Sequence, residues 1–587
     1  MKTLAILGGM CLAACGVGDS AGALPDSGSP PGDAAGTHCS VQIQLAPTQP
    51  QVGVDAAIRA TASLEGVTGT VAYTWEASLD GTATEVDQAA ADSSAIDIPV
   101  TTAGVLHVRL TLPDHPECDP GTHDVTVLPT TFATQTYRLR VTPPAGANIP
   151  TSDQIIEVHG GVDTVFPVAL PASVTLANGT VTANHVGVAA YMRMTPVAAS
   201  ASVVEAYASA SGVLPALRVL GQMHTALVVP TDPGLAPRVV AWTPGGSSEF
   251  AVDAGTAVNG VVRDPAGAAL VGATVALTLD GVPSSVGTTG ATGAFTLHAV
   301  PVAGATVAIT VTPPAASGLP RLVASSSAID LTSAWTVAYA AGLATRDLSG
   351  VHVTRGGSPV ASAQVAVVGS IASAGTITAG ATTLPARGDV RIATTTSASG
   401  VLAGRAPAAA LSLVVTRTPS DVALAAFDLT AAAPATVATA APVAVTGKVT
   451  LAGATLGLVR VDATGTGPLA GIVVQTTTDA LGHYTLPLAA GGAYDLRLYD
   501  PQNRASPRVD TLASAATTDV GVRALPASVH LIGTISGGAS SLAGAAVQLL
   551  CSGCTGPGAD VPIAEAAADP NGRFRLAVPD PGTHPAQ

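Results

Sequence analysis

The segment Val258-Asn259-Gly260-Val261-Val262 begins the clearest copy of a unit that recurs along this chain of 587 residues. A turn at Asp264-Pro265-Ala266-Gly267 separates it from a second run, Leu270-Val271-Gly272-Ala273-Thr274-Val275-Ala276-Leu277, and a third run starts at Gly293-Ala294-Phe295-Thr296-Leu297. Short apolar runs with alternating character, bounded by glycine and proline, are typical of β-strands joined by tight turns. The segment therefore predicts a strand, a turn and further strands.

Two glycine landmarks of this segment recur along the chain, as expected for a tandem repeat. The first landmark opens each copy and is found at Gly179, Gly260, Gly350, Gly447 and Gly533. The second precedes a large apolar side chain by two residues and is found at Gly212, Gly293, Gly400, Gly482 and Gly572. A unit of this length can bury its own core. The repeat therefore predicts a row of separate β-sandwiches.

The units resemble the carboxypeptidase regulatory-like domain, a transthyretin-like sandwich close to the Cna B-type domains of surface proteins. The residues that carry the resemblance are clearest in Asp479-Ala480-Leu481-Gly482-His483-Tyr484 and Asp569-Pro570-Asn571-Gly572-Arg573-Phe574. The unit at Gly350 departs from the pattern through a long insertion and through Ser397 at the aspartate position. The resemblance implies an all-β fold of antiparallel sandwiches, and it says little about function because this fold carries many functions.

The N-terminus has the features of a bacterial lipoprotein signal. Lys2 is followed by an apolar run that is too short for a permanent membrane helix, and Leu12-Ala13-Ala14-Cys15 resembles a lipobox. This resemblance implies cleavage before Cys15, lipidation of its thiol and attachment to a membrane; Gly16 then favours the outer membrane. The alternative is an ordinary cleavable signal with a chance cysteine. Residues 16–37 contain almost nothing to bury and predict a flexible tether.

A different pattern precedes the repeats. Residues 39–128 resemble an Ig-like or PKD-like sandwich, with Trp75 in the middle of a strand. The chain is therefore divided into a signal peptide (1–14), a lipidated cysteine with linker (15–38), the Ig-like sandwich (39–128), a first regulatory-like unit with extra strands (129–250), further units (251–343, the divergent 344–440 and 441–525) and an incomplete unit (526–587).

The last unit ends early when it is compared with the unit that begins at Gly447. After Phe574 the chain reaches only Gln587, so that roughly the final two strands are missing. Either the chain is a truncated product, which we favour, or another polypeptide donates the strands. Residues 129–170 are also strand-like, and their sequence leaves open whether they form a small domain or extra strands of the unit at Gly179.

The cysteines fit an exported protein. With Cys15 carrying lipid, Cys39 and Cys118 are candidates for one disulfide, and Cys551 and Cys554 for another. A C-x-x-C pair also occurs in redox and zinc sites, but a redox pair needs a helix N-terminus and zinc needs two further ligands. We therefore predict a structural disulfide between Cys551 and Cys554.

Composition and motifs indicate no enzyme and no cofactor. A formal net charge of -15 excludes a nucleic-acid-binding surface, since the only lysines are Lys2 and Lys448. No catalytic signature is present. His107, His115 and His123 with Glu117 could in principle bind a metal ion, but we interpret them as scattered loop residues and predict no metal site.

Two functions from different classes follow. The first is a non-catalytic cell-envelope lipoprotein, exported to the outer membrane or cell surface, whose sandwiches act as spacer, adhesion or assembly modules. The second is a glycan- or peptide-binding accessory subunit of a surface enzyme or transport complex. The shortage of aromatic platforms argues against glycan binding, because the chain has only three tryptophans, Trp75, Trp242 and Trp335.

Overall fold

The computed structural model describes residues 39–84, 86, 93–144, 147, 149–170, 173–197, 203–516, 518–537, 540–552 and 562–581. Strands account for 57% of the structure and helices for 1%, so the predicted all-β fold of many antiparallel sheets is confirmed. The short strands follow from the composition, in which frequent glycine and proline end each run before a long element can form.

The N-terminal sandwich packs one sheet of order β1-β2-β5 against another of order β4-β3-β6-β7. Trp75 is buried between them and donates its indole N–H to the carbonyl of Ser93 at 3.0 Å. Its strands are β1 (Ser40–Ala46), β2 (Ala57–Glu65), β3 (Thr74–Leu79), β4 (Thr82–Ala83), β5 (Ala95–Pro99), β6 (Gly104–Thr111) and β7 (Gly121–Val127).

Four strands follow that belong to neither the N-terminal sandwich nor the next unit. They are β8 (Thr134–Thr142), β9 (Ser152–His159), β10 (Thr164–Val165) and β11 (Val168–Leu170). Their partner strands lie at the far end of the chain.

Unit A is a sandwich with sheets β12-β17, β14-β13-β20 and β16-β15-β18-β19. Its core contains Met192, Met194, Trp242 and Phe250. Its strands are β12 (Ser173–Leu176), β13 (Thr180–Ala183), β14 (Val186–Gly187), β15 (Ala190–Pro196), β16 (Val204–Ala208), β17 (Leu217–Leu220), β18 (His224–Pro230), β19 (Arg238–Trp242) and β20 (Glu249–Val252).

Unit B contains the clearest copy of the repeat, which begins at Val258. A 3-10 helix, Ala315–Ser317, precedes its last two strands. Its strands are β21 (Thr256–Arg263), β22 (Thr274–Leu279), β23 (Val282–Pro283), β24 (Gly287–Thr288), β25 (Ala294–Ala299), β26 (Val307–Thr312), β27 (Arg321–Ser326) and β28 (Trp335–Tyr339).

Unit C contains the two longest strands, which form one hairpin. Its strands are β29 (Thr345–Asp347), β30 (His352–Arg355), β31 (Ser358–Pro359), β32 (Gln364–Ala379), β33 (Thr382–Thr395), β34 (Arg405–Pro407), β35 (Ala410–Thr418), β36 (Asp421–Asp428) and β37 (Thr436–Thr439).

Unit D is the most regular sandwich. One sheet has the order β39-β38-β42 with β45 paired to β38, and the other has the order β41-β40-β43-β44. A 3-10 helix spans Gly467–Leu469. The strands are β38 (Val443–Leu451), β39 (Ala454–Thr455), β40 (Arg460–Gly465), β41 (Val473–Thr477), β42 (His483–Leu488), β43 (Tyr494–Tyr499), β44 (Arg508–Leu512) and β45 (Thr518–Leu525).

The last strands of the chain join the four unplaced strands in a single sandwich, here called the composite module. These last strands are β46 (Ser528–Gly537), β47 (Ser540–Ser541), β48 (Ala546–Cys551), β49 (Ala564–Ala567) and β50 (Arg573–Pro579). One sheet has the order β49-β48-β8-β9, while in the other β10 and β11 run parallel to β46. Strands that units A to D separate in sequence therefore share one core.

The composite module is a circular permutation of unit D. In unit D, β43 pairs with β40, β44 pairs with β43, and β45 runs parallel to β38. In the composite module, β8, β9 and the pair β10 and β11 make the equivalent contacts with β48, β8 and β46. The strands that the last unit lacks in sequence are thus supplied by residues 134–170 of the same chain.

Two predicted boundaries are corrected by this pairing. Residues 129–170 are not extra strands of the unit at Gly179, and the unit predicted at 526–587 needs neither truncation nor a second polypeptide to account for its missing strands. The reason is physical: β8 and β9 bury Tyr137, Leu139 and Ile156 in one cluster with Leu531 and Phe574. The repeat landmarks follow the order of the chain and carry no sign of this exchange.

A third boundary, between 343 and 344, is crossed by the long hairpin of unit C. The distal half of β32 pairs with β28, and that of β33 pairs with β27, so that the sheets of units B and C are continuous. Ala374, Ile377 and Ala386 from the hairpin join the core of unit B. The insertion seen in the sequence of unit C is therefore a shared structural element.

The second glycine landmark ends the same turn in all five units. Each of these glycines has a φ between 75° and 80°, a left-handed conformation that favours glycine. In unit D the Asp479 carboxylate accepts the N–H groups of Leu481 and His483 at 2.9 and 2.8 Å. Ser397 holds the equivalent turn of unit C through the N–H groups of Ser399 and Val401.

The opening glycine lies beneath an aromatic ring of the neighbouring strand in three sandwiches. A Cβ at Gly447 would lie 2.5 Å from the hydroxyl oxygen of Tyr484, which is closer than real side chains approach. The glycine therefore lets the ring cover the strand. The cross-strand pairs are Gly260 with Phe295, Gly447 with Tyr484 and Gly533 with Phe574.

Unit C departs from this pattern by one residue. The N–H of Val353 donates to the carbonyl of Gly400 at 2.8 Å, where Val262 and Val449 make the equivalent bond in units B and D. The position of an opening glycine is therefore occupied by Val351. A methyl group added at the predicted landmark, Gly350, would meet no described atom within 4 Å.

Candidate functional site

The predicted lipidation site, Cys15, lies outside the described residues together with the signal peptide and linker. Membrane attachment through this cysteine therefore stays a prediction. In the described part of the chain, no helix combines the length and the apolar composition that a membrane span requires.

Cys39 and Cys118 form a disulfide whose Cα atoms are 5.3 Å apart. It joins the residue before β1 to the loop between β6 and β7, so that it closes most of the N-terminal sandwich. Cys551 is also disulfide-bonded, at the end of β48. Cys554, its predicted partner, lies outside the described residues.

The histidines considered as metal ligands do not converge. His107 contacts Asp124, and His115 contacts Glu117 at 2.9 Å, but among the described residues no histidine belongs to a cluster of three potential ligands. Across the described ranges, the one set of three potential ligands is Cys39, Cys118 and Glu117. Because both of its sulfurs are in the disulfide, this set does not suit a metal ion.

The site that organises the molecule is the junction where the composite module closes. β8 pairs with β48 over six residues, from Thr142 opposite Ala546 to Tyr137 opposite Cys551. The side chains of Leu139 and Val547 are fully buried at this seam. Because this apolar core is shared by segments that are far apart in sequence, the stability of the module depends on their packing together.

Asp163 lies at the centre of the junction and links three parts of the chain. Its carboxylate accepts the backbone N–H of His530 at 2.7 Å and pairs with the guanidinium of Arg575 at 3.8 Å. Its carbonyl accepts the hydroxyl of Thr126 in β7 at 2.9 Å, and that hydroxyl accepts the N–H of Val165 at 2.8 Å. Thr126 therefore links the N-terminal sandwich to the composite module by two hydrogen bonds.

The charge of Asp163 is favoured by these partners. Burial acts to raise the pKa of its carboxyl, but the hydrogen bonds and charge of His530, together with Arg575, outweigh burial and hold the pKa below its usual value. A second carboxylate, Asp580, accepts the N–H of Gly161 at 3.1 Å across the same junction.

A cleft of about 640 Å³ lies between the N-terminal sandwich and the composite module. Its acidic groups are already engaged inside the protein, since Asp80 accepts the N–H of Val105 at 2.8 Å and Asp124 contacts His107. These interactions indicate a joint between domains. The charged and titratable residues that line it are Asp80, His107, Asp124, Asp163, Arg575 and Asp580.

Unit D also contacts the composite module. The guanidinium of Arg497 donates to the carbonyl of Pro562, and the hydroxyl of Tyr499 donates to the carbonyl of Glu565 at 3.2 Å. Burial lowers the pKa of Arg497, and nearby acids such as Glu565 oppose this effect. Burial also raises the pKa of Tyr499 to about 12, which keeps its hydroxyl protonated as a donor.

Sequence reasoning missed the roles of Asp163, His530 and Arg575. A signal was nevertheless available, because the strands that could not be placed between residues 129 and 170 matched the strands that the last unit lacked. The long-range pairing that connects these two observations leaves no periodic pattern in sequence.

No protein-family model and no curated protein sequence matches the chain. Among solved structures, the Bacillus anthracis TIE protein is similar at 10% identity over 83% of this chain and 74% of that one, with a TM-score of 0.15. A streptococcal ancillary pilin is similar at 9% identity over 46% of this chain and 99% of its own, with a TM-score of 0.19.

The major pilin subunit of Bacillus cereus is similar at 8% identity over 60% of this chain and 99% of its own, with a TM-score of 0.14. At such low TM-scores these likenesses carry no conclusion about function. The carboxypeptidase regulatory-like resemblance stays a prediction.

Proposed function

We propose that the chain is a non-catalytic envelope lipoprotein whose sandwiches form a spacer or assembly platform, held at the membrane by lipid on Cys15. The observation that carries this proposal is the sharing of strands and core residues between units. A row of independent domains on flexible linkers does not need such sharing, whereas a platform that must hold a fixed geometry does.

The joint between units B and C is the strongest support. The hairpin of unit C supplies Ala374 and Ile377 to the core of unit B, and Gly375 and Gly388 allow its close approach. A Cβ at Gly388 would lie 2.8 Å from the Cγ of Pro320 in unit B. Neighbouring units therefore share a packed interior across this joint.

The joint between units C and D is built in the same way. Val368, Val414 and Val422 of unit C lie in the hydrophobic cluster of unit D. With the contacts of Arg497 and Tyr499 to the composite module, packed joints run from unit B through unit D to that module.

Spin-label distances test whether neighbouring units hold a fixed geometry, as the spacer function requires. Labels at Ser325→Cys in unit B and Thr418→Cys in unit C, both on exposed residues, should give one narrow distance distribution. Gly388→Ala should broaden it by displacing the hairpin, while the matched variant Gly350→Ala, at an open position, should leave it unchanged. A broad distribution in the unmodified chain would contradict the proposal.

The anchor is tested separately. Cys15→Ala should release the protein from membranes and abolish its labelling by palmitate, because no other thiol lies at the predicted cleavage site. Labelling that persists in this variant would show that Cys15 is not the lipidated residue, and it would leave the spacer proposal standing.

A second candidate, glycan binding, is favoured by one surface of unit A. Tyr207 is 71% exposed, and its ring centroid lies 5.4 Å from that of Tyr191 on the neighbouring strand. Exposed tyrosine rings can stack on sugars, whereas Trp75, Trp242 and Trp335 are all buried. Binding on a glycan array that is lost in Tyr207→Ala would favour this function over the spacer.

A further inference from the structure

The composite module consists of two half-modules that are far apart in sequence. The donor half is residues 134–170, and the acceptor half is residues 528–581. Between them lie units A to D, each with its own buried cluster. The two halves are thus joined through folded domains and meet by strand pairing and packing, much as two separate molecules would.

Neither half can be a stable sandwich alone. The acceptor half without β8 exposes the buried side chains of Val547 and Leu549 and leaves the edge of β48 unpaired. The donor half alone exposes Leu139 and Ile156. Unpaired edges beside an apolar face bind another strand of suitable register.

We propose that the donor half of one copy also closes the acceptor half of a second copy, so that this chain assembles with itself by strand exchange. The exchanged form has the same contacts as the closed single chain: six residue pairs between β8 and β48, the parallel pairs of β10 and β11 with β46, and the bonds of Asp163 to His530.

Because the contacts are the same in both forms, the balance between them depends on concentration. Closure within one chain is favoured by the local concentration of its own donor, and exchange is favoured when many copies are crowded on one surface. The partner is therefore a second copy of this chain, and the surface is the groove beside β48 and β46. This inference does not depend on the proposed spacer function.

A pair of full-length variants tests the exchange. The first variant carries Leu139→Asp, which places a charge in its donor half and prevents that half from packing, together with Ala546→Cys on its intact acceptor half. The second variant carries Leu576→Asp, which disables its acceptor half in the same way, together with Thr142→Cys on its intact donor half. Thr142 and Ala546 are exposed and directly opposite each other in the register. Mixed under oxidising conditions, the two should form a covalent heterodimer.

Two controls make the result specific. Adding Leu139→Asp to the second chain removes the last working donor and should abolish the cross-link. Replacing Leu139→Asp in the first chain by Ile155→Asp, at a position that is 62% exposed, should strongly reduce it because that chain closes its own module. Hydrogen exchange in unit D confirms that the variants remain folded. Failure to form the heterodimer, with unit D protected in both chains, would overturn the proposal.

Discussion

At the residue scale, the molecule depends on positions where no side chain fits. Gly447 and Gly260 lie under rings that a methyl group would strike, and the glycines of the second landmark adopt a left-handed backbone. The sequence pattern identified both classes of glycine from spacing alone. It could not distinguish Gly350, where the space is open and Val351 takes the structural role.

Gly447→Ala should therefore destabilise unit D by about 1–3 kcal/mol, the usual cost of forcing a group into a packed site. The added methyl would meet the ring of Tyr484. Hydrogen exchange of β38 and β42 measures the loss. Gly350→Ala adds the same methyl at an open position and should change the free energy of unfolding by less than about 0.5 kcal/mol; equal losses would refute the packing argument.

His224 gives unit A a pH dependence. It is fully buried, its Nδ1 lies 2.7 Å from the carbonyl of Gln222, and burial holds its pKa below the ordinary value of 6.5, although that hydrogen bond opposes the shift. Below pH 6.5 the unfolded chain therefore binds more protons than the folded one. The free energy of unfolding should fall as pH falls, by at most about 1.4 kcal/mol per pH unit.

Hydrogen exchange of unit A at pH 7.5 and pH 5.5 measures this slope after correction for the intrinsic exchange rate. His224→Gln should flatten it, because the titrating group is gone. His185→Gln is the matched control, since the His185 side chain is 94% exposed, and it should retain the slope of the unmodified protein.

At the element scale, the sequence predicted strands and turns well and their partners poorly. The runs around Gly260 and Gly482 became strands and turns as predicted, because alternation and glycine are local signals. The hairpin of β32 and β33 was visible only as an insertion. Its pairing with β27 and β28 depends on residues such as Ile377 and Val337 lying opposite each other across units, which no local pattern encodes.

The disulfide between Cys39 and Cys118 should stabilise the N-terminal sandwich alone. Its sequence separation of 79 residues corresponds to a stabilisation of about 4.5 kcal/mol at most, from the lower entropy of the unfolded chain. The double variant Cys39→Ser, Cys118→Ser should lose protection from hydrogen exchange in β2, β5 and β6. Unit D should be unaffected, and a loss there would show that the units unfold together.

At the scale of the whole molecule, the closure of the chain on itself was hidden from sequence. The sequence leaves the placement of residues 129–170 open, and it predicts that the last unit lacks strands. What joins them is a core formed by residues such as Leu139 and Leu531, nearly 400 positions apart in the chain. Because tandem copies look alike in sequence, a permuted copy resembles a truncated one until unplaced strands elsewhere in the chain are matched to it.

The acceptor half should resist proteases only when the donor half is intact. Leu139→Asp places a charge in the core of the composite module, where an unpaired charge costs about 3–5 kcal/mol. Limited proteolysis should then cut within β46, β48 or β50 well before it cuts unit D. Ile155→Asp, on the exposed side of the donor half, should leave these strands resistant. Early cleavage within these strands in the unmodified protein would contradict this closure.

The position of the composite module also sets the path of tension through the chain. A pull between the N-terminal sandwich and the last strand enters at β8 and leaves at β50, and both strands belong to this one module. Units A to D lie between β8 and β50 in the sequence, but the applied force passes from β8 to β50 within the composite module and bypasses them. They should therefore carry no tension until the composite module opens. Single-molecule extension should show the opening of this module before any of the four units is stretched.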